Sequence, residues 1–233
     1  MIDVTDPGLG FYVAALREAR PLSVARYGDG EWSAIVRDRQ TCVGQRLDLP
    51  GMREAMMQSI TRAPRDPAYW LACHPNQPRG NIETWLRENQ PAWLRWLDNR
   101  TFYRASMHGE LFPFVDALRT MAAPLVIIGP AHLRKLNAVL PVAGFIEIPP
   151  VNAWFEMAAV LEACEAWRGI PVCFSISAGP TSSPLVWRLF ARGFGDGWLL
   201  DVGSLWDVYC GVKSRSYHQR IDAERLRRNL EGA

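Results

Sequence analysis

Strand-length apolar runs alternate along this chain with segments of helical period, and that alternation limits the possible folds more than any other feature. Leu22–Tyr27 and Tyr69–Cys73 are strand candidates, as are 101–105, 125–128, 145–148, 172–176 and 198–202. Helical period runs through 9–19, where Leu9, Tyr12, Val13 and Leu16 share one face, and through 52–60, 82–97 and 110–121. A short helix through Leu133 and Leu136, one from Asn152 to about 167 and one to about 192 complete the pattern. Repeated strand, short loop and helix predict a mostly parallel sheet. Right-handed crossovers then put helices on both faces, so the expected fold is α/β, Rossmann-like and doubly wound.

The 233 residues are 48% hydrophobic and include ten Trp, enough to bury one sizeable core. Residues 1–212 read as a single domain, and 213–233, with more Lys and Arg than Asp and Glu, as a basic C-terminal helical extension. A net charge of +2 does not by itself call for nucleic acid. Lysine occurs only at Lys135 and Lys213, so nearly all cationic side chains are arginine. This reflects either composition bias or a use for planar forks that grip phosphate. The five cysteines are odd in number and form no C-x-x-C pair, which fits free thiols in a reducing compartment and argues against zinc. Acidic Asp3 and Asp6 stand where a signal peptide would be basic, and no apolar run approaches the roughly 20 residues of a membrane span. A cytoplasmic protein with no transmembrane segment is expected.

In open α/β sheets ligands bind beyond the carboxyl ends of the strands. Five unusual segments fall there: Gly28-Asp29-Gly30-Glu31, Gly129-Pro130-Ala131-His132, Pro149-Pro150-Val151-Asn152, Ser177-Ala178-Gly179-Pro180-Thr181 and Asp201-Val202-Gly203-Ser204. The first nearly matches a dinucleotide fingerprint, Gly28-x-Gly30-x-x-Ser33, with Asp48 about 20 residues on. A dinucleotide-binding oxidoreductase is therefore one reading. Electrostatics opposes it, because a pyrophosphate there would meet Asp29 and Glu31. Each like-charge pair at about 4 Å costs on the order of 4 kcal/mol at an effective dielectric of 20. A divalent cation reverses that sign. Mn²⁺ or Mg²⁺ takes one or two carboxylates and fills its shell with phosphate and water, so Asp-x-Glu makes sense as a metal-diphosphate clamp.

The run Leu22-Ser-Val-Ala-Arg-Tyr-Gly-Asp-Gly-Glu31 resembles the N-terminal signature of the GT-D-type glycosyltransferases, once known as a domain of unknown function. Gln45 and Asp48, Ile146-Glu-Ile-Pro-Pro-Val-Asn-Ala-Trp154, 177–184 and Leu200-Asp-Val-Gly-Ser204 resemble later patches of that family. Gly129 to His132 departs from the loop found in some members. The resemblance implies that Asp29 and Glu31 bind a divalent metal, Mn²⁺ or Mg²⁺, and that the donor is a nucleotide sugar such as UDP-glucose.

On this reading Asp29, Glu31, Asp201 and Asp207 are the candidate catalytic acids. Arg26, Gly28, Gly30, Gly129, His132, Asn152, Gly179, Pro180 and Thr181 are candidates for holding the donor. Arg26 is suited either to a donor phosphate or to an ion pair with one of the acids. Trp154 and Trp206 adjoin the proposed loops and are either core or stacking surfaces. The expected activity is metal-dependent transfer of a hexose from a UDP-sugar to a hydroxyl of a glycan or glycoprotein, with modified DNA a further possible acceptor. The oxidoreductase and a non-catalytic nucleotide-sugar-binding module are the alternatives.

Overall fold

A computed structural model describes residues 2–36, 39–77 and 79–232. Met1 and Ala233, the outer ends of the two expected segments, lie outside them. The strands are β1 (Val4–Thr5), β2 (Leu22–Tyr27), β3 (Thr41–Cys42), β4 (Gln45–Arg46), β5 (Tyr69–Cys73), β6 (Trp96–Asp98), β7 (Leu125–Gly129), β8 (Val142–Glu147), β9 (Cys173–Ile176) and β10 (Trp198–Asp201). The α-helices are α1 (Gly8–Arg17), α2 (Asp29–Val36), α3 (Met52–Thr61), α4 (Asn81–Asn89), α5 (Thr101–His108), α6 (Phe112–Thr120), α7 (Met157–Cys164), α8 (Ser182–Leu189) and α9 (Ala223–Glu231).

Eight strands form one sheet in the order β1-β6-β5-β2-β10-β9-β7-β8, and its pairings are parallel. β3 and β4 make a small antiparallel hairpin beside it. Side chains of β2 alternate between two cores, as a strand buried on both faces requires. Ala25 and Tyr27 join α2, α3, α7 and α8 on one face. Leu22 and Val24 join α1, α5 and α6 on the other. The doubly wound α/β arrangement read from the sequence is therefore present.

Three local expectations are corrected. The helix expected over 82–97 stops at Asn89, because Pro91 disfavours helical backbone at Gln90, and the apolar residues beyond it enter β6. The strand expected over 101–105 is α5. Its β-branched and aromatic start looked extended, but Asp98 accepts the Arg100 amide at 2.9 Å and Thr101 donates to the Asp98 carbonyl at 3.1 Å, which turns the chain into a helix. Phe102, Ala105 and Ser106 are then buried on one face, at the three- and four-residue spacing of a helix. The helix expected from Asn152 is divided into a 3₁₀ turn, α7 and a second 3₁₀ turn.

Residues 213–232 pack back onto the domain. Asn229 of α9 is fully buried, accepts the Leu111 amide at 2.9 Å and donates to the Ser106 carbonyl at 2.7 Å. His218 and Ile221 are buried as well.

Candidate active site

The strand order reverses between β2 and β10. From β2 the chain moves to β5 on one side, whereas β10 is reached from β9 on the other. Such a reversal opens a crevice at the carboxyl ends of the strands. Here it is a cleft of about 280 Å³ lined by Arg26, Gly28, Asp29, Gly30, Glu31 and Asp201, among others. A larger cavity of about 420 Å³ lies between α2 and α3.

The glycine turn is not a loop, since α2 begins at Asp29. Acids in a first helical turn are favoured by the helix dipole. Glu31 reaches back to accept the Gly28 amide at 2.8 Å, the carboxylate half of a capping box. That contact fixes one oxygen of Glu31 and leaves the other for a ligand. Burial, with the charge of Asp29 a lesser cause, raises the Glu31 carboxyl above its usual range. Asp29 is exposed and accepts a hydrogen bond from the Gln77 amide. The carbonyl oxygen of Gln77 is buried with no hydrogen-bond partner among the described residues.

Asp201 closes the opposite wall. It is 4% exposed and accepts the amides of Arg26 at 3.0 Å and Gly203 at 3.1 Å. Burial pushes its pKa up to about 7, helped by the charge of Glu31 and opposed by Arg26. The Arg26 guanidinium lies against Gly203, where a Cβ would stand 2.1 Å from Nη1. It donates to the Asn99 carbonyl at 3.4 Å, and its Nε is buried without a partner among the described residues. Arg215, from the basic C-terminal stretch, lines the same cleft; its guanidinium donates to the Ser214 carbonyl at 2.9 Å and its backbone amide to His218 Nδ1 at 3.3 Å.

Of the donor-binding candidates, Gly179 and Pro180 also face this cleft. Gly129, His132, Asn152, Thr181 and the acid Asp207 do not line it. Gly129 serves packing, since a Cβ there would meet Leu133 at 2.6 Å. His132 and Asp207 find each other, Nε2 to Oδ1 at 2.9 Å, and Asp207 also accepts from Ser214. Asn152 adopts a left-handed backbone and accepts the Arg46 amide at 2.8 Å instead of capping the turn that follows it. Gln45 accepts the Asn152 amide and donates to the Pro150 carbonyl, so the 149–152 loop stands behind the hairpin as its brace. Thr181 is buried in the turn that leads into α8.

Asp48 pairs with Arg46 on the surface between the hairpin and α3. It does not follow a second strand of the main sheet, where a ribose-binding acid is expected. Trp206 is fully buried with its indole N–H on Ser175, so it belongs to the core. Trp154 donates to the Pro50 carbonyl beneath Arg188. Gln77, Arg215 and Val43, which also lines the cleft, were not singled out in the sequence. Gln77 follows β5 at the same carboxyl edge, a position from which the loop rule would have found it.

Among the described residues no cluster of three or more His, Cys, Asp or Glu has metal-binding geometry. The oxygen donors of Asp29 and Glu31 still fit a hard cation that takes its remaining ligands from phosphate and water. Gln77, whose amide group donates to Asp29, also carries a buried carbonyl oxygen without a partner among the described residues.

The fold and cleft define a doubly wound α/β protein with an acidic pocket at its strand-order reversal. No protein-family model matches the chain, and no curated protein matches it. Solved structures do. One is described as a new glycosyltransferase (DUF1792) from Streptococcus sanguinis, with TM-score 0.63 and 17% identity over 89% of this chain and 84% of that one. Another is the domain of unknown function 1792, described as having a distinct glycosyltransferase fold, with TM-score 0.63 and 16% identity over 88% of this chain and 80% of that one. At this identity the likeness establishes the fold, which agrees with the resemblance carried by 22–31. No helix among the described residues is long and apolar enough to cross a membrane.

Proposed function

We propose that this chain is a glycosyltransferase that binds a nucleotide sugar, a UDP-hexose such as UDP-glucose being favoured, together with Mn²⁺ or Mg²⁺ at Asp29 and Glu31. It transfers the sugar to a hydroxyl of a glycan or glycoprotein. The observation that carries this reading is the meeting of Asp29, Glu31 and Asp201 with Arg26 in one cleft, in a fold shared with glycosyltransferases. When bound, the cation neutralises charge on a departing diphosphate.

The chain's own residues supply the rest. Arg26 and Arg215 present guanidinium forks suited to phosphate oxygens. Asp201, poised near neutrality by burial, is the acid best suited to take a proton from the acceptor hydroxyl. The hydroxyl oxygen then bonds to the anomeric carbon, the bond from that carbon to the diphosphate breaks, and its electron pair leaves with the diphosphate. Asp207 is already engaged by His132 and Ser214 and acts as a brace.

Thermal denaturation with UDP, UDP-glucose, GDP, dTDP and NAD, each with Mn²⁺ or EDTA, tests the donor site. A nucleotide at 100 times its dissociation constant adds about 2.7 kcal/mol of stability. The expected result is stabilisation by one nucleoside diphosphate that needs metal and disappears in Asp29→Asn. Stabilisation by NAD that ignores EDTA would replace this reading with the oxidoreductase.

A further inference from the structure

A further cavity, of about 340 Å³, is lined by Tyr103, Met107, Ser216, Tyr217 and Arg220. Tyr103 is in the first turn of α5, which follows β6, so this cavity opens at the same edge of the sheet as the acidic cleft. Tyr217 forms the partition between the two. Its hydroxyl lies 3.4 Å from Ser204 Oγ, and Ser204 lines the cleft. Arg215, two residues before Tyr217, lines the cleft as well.

The rings of Tyr103 and Tyr217 lean on each other, with centroids 5.2 Å apart and planes inclined by 37°. No slot for a nucleobase remains between them. They form an aromatic wall with the exposed Ser216 and Arg220 at its rim. An aromatic lining bordered by hydrogen-bonding groups suits a sugar ring, whose C–H groups pack on an aromatic surface while its hydroxyls reach the rim. It abuts the cleft in which a donor sugar would be transferred, so a saccharide lying on it would hold a neighbouring hydroxyl toward that cleft.

We infer that the cavity walled by Tyr103 and Tyr217 is the acceptor subsite and that it takes a saccharide. This rests on the glycosyltransferase reading of the adjoining cleft.

The test uses the full chain and saturation-transfer NMR with cellobiose, lactose, maltose and chitobiose as probes. UDP with Mn²⁺ is titrated separately by calorimetry. At least one disaccharide is expected to bind the wild type. Its affinity should fall about tenfold or more in Tyr103→Ala and in Tyr217→Ala, and return in Tyr217→Phe, which keeps the ring. The affinity for UDP with Mn²⁺ should stay within about twofold in Tyr103→Ala. If no disaccharide binds, or binding survives the loss of both rings, the subsite is overturned. Loss of UDP affinity in Tyr103→Ala with disaccharide binding intact would make this the nucleoside pocket and overturn it equally. Failure of the wild type to bind UDP with Mn²⁺ would instead remove the UDP-donor reading, a result seen in the calorimetry and not in the saccharide spectra.

Discussion

Replacing Asp201 by Asn should change how the stability of the protein depends on pH. The folded protein holds the Asp201 proton to about pH 7, against an ordinary value of 3.8. Below both values the carboxyl is protonated in either state and its ionisation costs nothing. Between them the unfolded chain releases its proton and the folded chain does not, so stability falls as pH rises and levels off above about 7. At 1.36 kcal/mol per pKa unit, the whole loss is about 4 kcal/mol, a large fraction of the 5–15 kcal/mol typical of a domain. Glu31 is raised as well and interacts with Asp201, so the two acids titrate as a pair and the loss belongs to both. Asn keeps one acceptor for the two amides that Asp201 holds, which leaves one of them unsatisfied at a cost of about 1–3 kcal/mol. Asp201→Asn should therefore gain about 3 kcal/mol on the wild type between pH 5 and pH 8 and be the more stable of the two at pH 8. Urea denaturation at the two pH values, with EDTA to exclude cations, reads this directly. A stability difference between the two proteins that does not change with pH would refute the reasoning, because it would mean that Asp201 ionises as an exposed carboxylate does.

Other expected outcomes follow from single contacts. Glu31→Gln retains an oxygen for the Gly28 amide, so it should fold with a melting temperature close to wild type yet lose the metal-dependent stabilisation by nucleotide. Gly203→Ala should lower stability by about 1–2 kcal/mol, since its backbone is left-handed at φ +57° and the new methyl displaces Arg26. Nucleotide affinity measured by calorimetry should fall with it. Asn229→Leu should cost about 1–3 kcal/mol in urea denaturation, because the Leu111 amide is left buried without a partner, while the Ser106 carbonyl keeps the Gly109 amide at 3.3 Å. Val43→Gly should raise stability by about 1 kcal/mol, since a β-branched residue is held there at φ +48°. A decrease would show that this turn carries no strain.

The parallel sheet was legible because its central strands are buried on both faces and read as unbroken apolar runs. Leu22–Tyr27 and Tyr69–Cys73 begin and end where the sequence pattern places them. The short edge strand β1 and the β3–β4 hairpin, two residues per strand, are too brief to carry a period. Thr101 to Ala105 misled because its composition suits a strand, whereas the Asp98 side chain dictates a turn. At the site, Arg26, Asp29, Glu31 and Asp201 were legible because each closes or follows a central strand. His132 and Asp207 looked like independent groups, and only the fold shows that they neutralise each other's hydrogen-bonding capacity. Arg215 and Tyr217 were hidden in a stretch that reads as a basic helical extension. Nothing local in that stretch reports that Asn229 anchors α9 to α5 and α6.

The pairing of β2 with β10 also governs when the cleft can come into being. Leu22 faces Trp198 across the sheet, so one of the first strands of the chain finds its neighbour only after the intervening units are in place. Closing so long a loop makes this pairing one of the slow, high-contact-order steps of folding. Asp29 and Glu31 follow one partner and Asp201 ends the other, so the three acids are brought together at that step and not before. A nascent or partly unfolded chain that lacks β10 keeps Asp29 and Glu31 side by side in α2 but has no opposite wall to enclose a ligand. Nucleotide affinity, which needs both walls of the cleft, should therefore appear late in refolding, in step with the last central strand, and could serve as a kinetic reporter of that insertion.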